Sequence, residues 1–406
     1  MLYVQTAADL RHWIAETGGT KETMNRKEIN EIKRLYTKET NCITRICGCF
    51  VDPDKNKKAE IKDAFLSLEE EARFKYLDIF KKTLSGTLGK NLINMEFPTE
   101  EEEEGGRQHF LMQLLRSELK DADIISKFYD QIIETYDYAD NYYIILIYNA
   151  YDIPRIASDN MHIDDASDYV HSFLMCSICP IKPSKPGLHY NAATNSIENS
   201  IRDMMVEAPM LGFTFPAFND RNTDVHQLLY YSKNAEDISI AMTEIILGCH
   251  VPLPAKEQKN TFNTMIEESL GTSCEFETVK SIHNSINELV AEKKDDPEPL
   301  ILDKTEVKGI LASSGVGISQ IESFEKEYDD TITRDTPIMA TNVYSPRKFE
   351  IKTPDVTINV NPERTDLIEK RVIDGVPCLV IELNDSVAVN GIRCTYTNPP
   401  QQTDEA

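Results

Sequence analysis

Residues 142–148 read YYIILIY, seven positions with no charge, no glycine and no proline. A run this rich in aromatic and β-branched side chains reads as a strand. Strand side chains alternate between the two faces of a sheet, so an unbroken apolar run puts apolar groups on both. Such a strand must be covered above and below, which commits the chain to a layered domain. The run is well short of the roughly 18 apolar residues a membrane-crossing helix needs, and the opening MLYVQTAADLRHW has neither the basic start nor the apolar centre of a signal peptide. A cytoplasmic protein without a membrane partner is the expectation.

The flanking sequence supplies the covering layers. Phe110, Leu111, Leu114 and Leu115, then Ile125, Phe128, Ile132 and Ile133, fall at helical spacing within residues 107–136. DYVHSFLMCSICPIK, MLGFTFPAF and VHQLLYYS read as further strands, and residues 235–292 as two or three helices punctuated by Gly248, Pro252, Pro254 and Gly271. The fold class that follows is α+β or mixed α/β and multi-domain. It has a helical N-terminal segment, a central mixed sheet with covering helices, and a small β-rich C-terminal module.

With 406 residues, the length suggests about two or three domains. Residues 1–23 read as an extension, because the first clear element is NRKEINEIKRLY, where Asn25 and Glu28 have capping-box spacing ahead of the stripe Ile29, Ile32, Leu35 and Tyr36. Met24, immediately before it, is an expected true or alternative start. Residues 24–98 form a mildly basic helix and strand segment. CITRICGCFVD is expected as a strand, followed by a helix from about residue 58 that restarts at Ser67 through its spacing to Glu70.

Pro98, the run Glu100–Glu104 and the pair Gly105, Gly106 mark residues 99–106 as an acidic linker. The central domain is then 107–293, and KKDDPEPL places a second linker at 294–299. Residues 300–396 follow as helices plus hairpins. Asp374-Gly375 and Asn390-Gly391 are the turn signals there, and 397–406 is a tail.

Charge and thiols bound the function. The 43 basic and 68 acidic residues give a net charge of −25, which argues against the body wrapping nucleic acid. Residues 1–95 carry +3 and the remainder −28, an asymmetry whose simpler reading is a difference in exposed helix faces, with attraction of the basic start to the acidic body or to an acidic partner as the alternatives. Nine cysteines scattered over a long chain read as reduced thiols.

Several of these stretches carry a resemblance. NRKEINEIKR, ITRICGCFVD, KTLSGTLGKNLINMEF, CSICPIKPSKPGL, GFTFPAFNDRNTDVH, KFEIKTPDV and VIDGVPCLVIELND together resemble a bacterial family catalogued as domain of unknown function 4317. The likeness runs from Met24 to the final strand. It implies no activity, ligand, cofactor or catalytic residue.

The common catalytic signatures are absent from the sequence: no phosphate-binding GxxxxGK[ST], no GxGxxG after a strand, no HExxH and no GxSxG. The densest polar stretch is FPAFNDRNTDVH, residues 215–226. Asp224 and His226 are expected on one strand face, where a carboxylate and an imidazole suit a divalent metal or acid/base work. Asp220 is the third candidate catalytic residue, with Asn219 and Arg221 as ligand-binding groups and Arg221 suited to a phosphate or carboxylate. Asp152, at the end of the apolar strand, is a further ligand-binding candidate, and Asp159, Asp164 and Asp165 are possible contributors. Set against this is an Asx-rich turn in which the same groups satisfy local backbone and one another.

Cys176 and Cys179 with His189 form a CxxC arrangement, but in a strand they point to opposite faces, which favours structural thiols. Cys47 and Cys49 share a face as core groups. GTLGK, residues 86–90, has the GxxG spacing of a nucleic-acid clamp, with a helix C-cap as the simpler reading. A ligand- or protein-binding module is thus the leading expectation, a metal-assisted hydrolase of a phosphorylated substrate centred on 219–226 the alternative, and nucleic-acid binding through Gly86–Lys90 the third.

Overall fold

The computed structural model describes residues 23–156, 162–163, 169–185, 187–199, 203–236, 238–250, 252–332, 337–345, 347–383 and 387–394. Asp159, Asp164, Asp165 and the His189 side chain lie outside them. The chain divides into two compact units. One comprises residues up to Gln258 with Asp296–Pro299 and Asp335–Met339, and the other Lys259–Asp295, Leu300–Arg334 and the chain from Ala340 onward.

The apolar run becomes the first part of the strand Tyr142–Asp152. Tyr142, Ile144 and Leu146 enter one hydrophobic core, and Tyr143, Ile145 and Ile147 enter another on the opposite face. The preceding elements are α1 (Arg26–Arg34), β1 (Ile43–Val51), β2 (Lys57–Ala64), α2 (Glu70–Thr83), β3 (Leu92–Glu96), α3 (Thr99–Glu102), α4 (Arg107–Arg116) and α5 (Ala122–Thr135). Tyr142–Asp152 is β4, and the labelled elements after it in this unit are β5 (Val170–Pro183), β6 (Leu211–Phe215), β7 (Ala217–Asn219), β8 (Asn222–Asp224) and β9 (Gln227–Ser232).

The main sheet runs β2-β1-β4-β5-β6-β9-β3, with the short strand Met204–Val206 added beside β5. Each of these pairings is antiparallel. Leu111 and Leu114 of α4, Phe128 and Ile132 of α5, and Met242 and Ile246 of a π-helical turn cover one face. Ile29 and Ile32 of α1 with Leu77 and Phe80 of α2 cover the other. The fold is α+β: a helix-covered antiparallel sheet with small β ribbons toward the C-terminus.

Two glycines show how closely neighbouring elements approach. A Cβ on Gly48 of β1 would lie 2.0 Å from the Tyr143 hydroxyl, and one on Gly212 of β6 would lie 2.6 Å from Thr83 of α2. Thr83 also shares a 2.7 Å hydrogen bond with Ser177 of β5.

The helix expected from residue 58 is instead strand β2. Asp52 reverses the chain by accepting the Asn56 amide at 2.8 Å and pairing with Lys58 at 2.7 Å. Residues 57–64 are thereby laid along β1, where backbone pairing overrides the helix preference of KKAEIKDA. The Ser67 cap is corrected too. Its hydroxyl donates to the Ala64 carbonyl at 2.7 Å, and helix α2 begins at Glu70 after Glu69.

The acidic stretch 99–106 falls within one unit, since β3 before it and β4 after it share a sheet. Its Glu101 carboxylate accepts the Arg107 amide at 2.6 Å, at the start of α4.

In the second unit lie most of α6 (Ala255–Leu270), then α7 (Phe276–Glu292), α8 (Lys304–Ser313), α9 (Ile318–Thr331) and α10 (Ala340–Val343). Three antiparallel ribbons follow: β10 (Phe349–Lys352) with β11 (Thr357–Val360), β12 (Ile368–Ile373) with β13 (Val376–Ile381), and β14 (Val387–Val389) with β15 (Ile392–Cys394). The last two turn at Asp374-Gly375 (φ 50° and 82°) and Asn390-Gly391 (φ 49° and 83°), the left-handed pairs a two-residue hairpin requires.

Candidate functional site

Residues 217–224 form a tight hairpin, β7 against β8, with Ala217 opposite Asp224 and Asn219 opposite Asn222. Asp220 and Arg221 occupy its turn with φ of 45° and 55°. Asn and Asp tolerate this region best, and Arg221 occupies it with its side chain engaged. Its target is α1. One Arg221 nitrogen lies 2.8 Å from each oxygen of Glu31, and the other donates to the Pro154 carbonyl at 3.0 Å. The Tyr151 hydroxyl donates to the same Glu31 at 2.7 Å.

Three residues earlier on α1, Glu28 is buried and accepts the Asn25 amide at 2.8 Å. Burial pushes its carboxyl above the usual range, while backbone N–H groups of Asn25, Asp220 and Arg221 pull it back. The helix thus presents two carboxylates, Glu28 and Glu31, to a hairpin that answers with backbone amides and a guanidinium.

The remaining candidates have separate partners. Asp224 accepts the Asn219 amide at 2.8 Å and the backbone N–H of His226 at 2.9 Å. The His226 imidazole meets Glu102 of α3 at 2.8 Å. Asp152 is exposed at the end of β4, opposite Val170 of β5. The rule that places ligands at strand ends concerns parallel sheets, and this sheet is antiparallel. Among the described residues, no group of three or more His, Cys, Asp and Glu side chains is placed to hold a metal ion.

Sequence reasoning missed His171. It is buried on β5, stacked on Phe173 and tilted against Phe218 with centroids 4.9 Å apart in each case, and its Nδ1 is 2.7 Å from the Thr223 hydroxyl. Burial lowers its pKa to about 3, so the ring is neutral in the fold. No local motif announces it, because its partner lies 52 residues away on β8.

The other motifs also take part in packing. Cys176 lies in one core and Cys179 in the other, so the CxxC pair is split across the sheet, and burial pushes both thiols up. Cys47 and Cys49 share the first core. Around Gly86–Lys90 the Thr87 carbonyl accepts the amides of Lys90, Asn91 and Leu92. A Cβ on Gly89 would lie 2.9 Å from the Met339 side chain, which gives that glycine a packing reason.

No helix among the described residues is long and apolar enough to cross a membrane. No curated protein and no solved structure matches the chain. The family model described as domain of unknown function (DUF4317) matches residues 24–392. That span begins at the capped helix α1, includes the hairpin that clasps it, and reaches the last ribbon, so the chain belongs to the DUF4317 family.

Proposed function

We propose that this protein is an interaction module that docks an extended apolar segment of a partner protein along its C-terminal ribbons, while the Asp220-Arg221 turn clasps α1 as part of the fold. The observation that carries the reading is the exposure of β-branched side chains on β12–β15: Val372 at 69%, Val376 at 58%, Val389 at 57% and Ile392 at 72%. Single exposed apolar groups are ordinary. Here they recur on successive strands. A two-stranded ribbon is marginal in water, and its outer edges offer unpaired N–H and C=O groups to an added strand.

Charge supports the same surface. Residues 368–383 and 387–394 hold Lys370, Arg371 and Arg393 against Glu369, Asp374 and Glu382, a balanced patch in a chain of net charge −25. A neutral apolar segment meets no long-range repulsion there.

Selection of a random-peptide phage library on the full chain tests the reading. Enriched peptides should be extended and rich in β-branched residues, and they should lose binding to a variant carrying Val372→Lys, Val376→Lys and Ile392→Lys. Peptides that bind this variant as well as the parent would exclude the ribbons, and native mass spectrometry on the same pair tells whether a second copy is the partner.

A further inference from the structure

The second unit contains a cleft of about 270 Å³ between α6, α7, α10 and the start of the first ribbon. From α6 come Lys259 and Asn263, from α7 His283, Asn284 and Asn287, and from β10 Phe349. The hairpin reading above assigns none of these a role.

One amide of the cleft is turned to donate into it. The Thr365 hydroxyl donates to the Asn284 carbonyl oxygen at 2.9 Å, which leaves the two amide hydrogens of Asn284 for another acceptor. Neither Asn263 nor Asn287 makes a side-chain hydrogen bond within the described residues, and Lys259 makes no ion pair there. Lys348 and Glu350 also line the cleft, and they pair with each other. An acidic chain, with 68 acidic residues to 43 basic, has here a pocket whose one carboxylate, Glu350, is paired with Lys348 and also feels the charge of Lys259, so the two lysines outnumber it.

His283 adds a second sign of the same field. Its ring lies edge-to-face with Phe349, centroids 5.8 Å apart. Burial lowers its pKa and the charge on Lys259 lowers it further. The ring thus sits close enough to Lys259 to feel its charge, and an incoming anion would meet the same field.

We propose that this cleft binds a small hydroxylated organic anion, of the size of one phosphorylated or carboxylated sugar. Lys259 meets the anionic group, and the amides of Asn263, Asn284 and Asn287, each donor and acceptor at once, match hydroxyls. Phe349 supplies an apolar wall beside the ring. The volume, just under the roughly 300–1,000 Å³ of pockets for larger ligands, limits the occupant to about one ring.

Calorimetric titration of the full chain with glucose 6-phosphate, gluconate, glucose and inorganic phosphate tests this. Glucose 6-phosphate or gluconate should bind saturably, and whichever binds identifies the anion. Glucose, without the charge, and phosphate, without the carbon hydroxyls, should each bind about tenfold or more weakly. Lys259→Gln and Asn287→Leu should each weaken the sugar anion by about tenfold, with melting temperatures within about 2 °C of the parent. The imidazole NMR signals of His283, assigned through His283→Gln, should move on saturation.

Absence of saturable binding by all four compounds overturns the proposal. Equal affinity for phosphate and glucose 6-phosphate reduces it to an adventitious ion only, and undiminished binding by Lys259→Gln removes the site.

Discussion

At the scale of single residues, Arg221, Asp224 and His226 each meet a different partner in the fold, and two measurements follow. His171 is neutral in the fold, with a pKa lowered to about 3 by burial, and near the ordinary value of about 6.5 when unfolded. Between these values the unfolded chain binds the extra proton. Stability from this group is intact above about pH 6.5 and falls as pH drops, by up to about 1.4 kcal/mol per pH unit. Urea unfolding at pH 7 and pH 5 should show a larger loss for the parent than for His171→Phe, and an imidazole that titrates near 6.5 in the native protein would contradict the account. Arg221 and Glu31 have side chains 28% and 26% exposed, so a double-mutant cycle with alanine at each should give a coupling of only about 1 kcal/mol. Sequence alone placed Arg221 among the candidate groups, but its partner is on a helix 190 positions away, and no local pattern carries that distance.

At the scale of elements, periodicity and caps were the legible part. The Asn25 side chain accepts the Lys27 and Glu28 amides at 2.9 and 3.2 Å, and Glu28 reciprocates, the box that its spacing implies. Asn25→Ala should cost about 1 kcal/mol in denaturant unfolding, more if the buried Glu28 loses its alignment with the hairpin turn. Gly375, at φ 82°, is set by its turn, so Gly375→Val should raise amide hydrogen exchange in β12 and β13 selectively, by about 1 kcal/mol or more of local opening. β2 was illegible because KKAEIKDA has little apolar pattern of either period. Its conformation comes from pairing with β1 and from the Asp52 turn, which is tertiary information. The tight hairpin at 217–224 was missed for a related reason, since an Asp-Arg turn lacks the glycine that usually signals one.

At the scale of the whole molecule, all nine cysteines are free, five of them buried and only Cys274 and Cys394 exposed. A thiol reagent should therefore modify two groups rapidly in the native protein and all nine in denaturant, with Cys42 and Cys378 intermediate; rapid native modification of Cys176 or Cys179 would contradict the two-core arrangement. The sheet order has one more consequence. Its two edges, β2 and β3, both come from the first hundred residues, yet β3 joins the sheet through β9, which ends at Ser232. During synthesis on the ribosome the far edge has no neighbour to pair with until more than half the protein has been translated. Nascent chains stalled before residue 227 should thus leave Leu92–Glu96 open to chaperones and proteases, and a gene split after residue 106 should yield a soluble N-terminal fragment only when the remainder is made beside it.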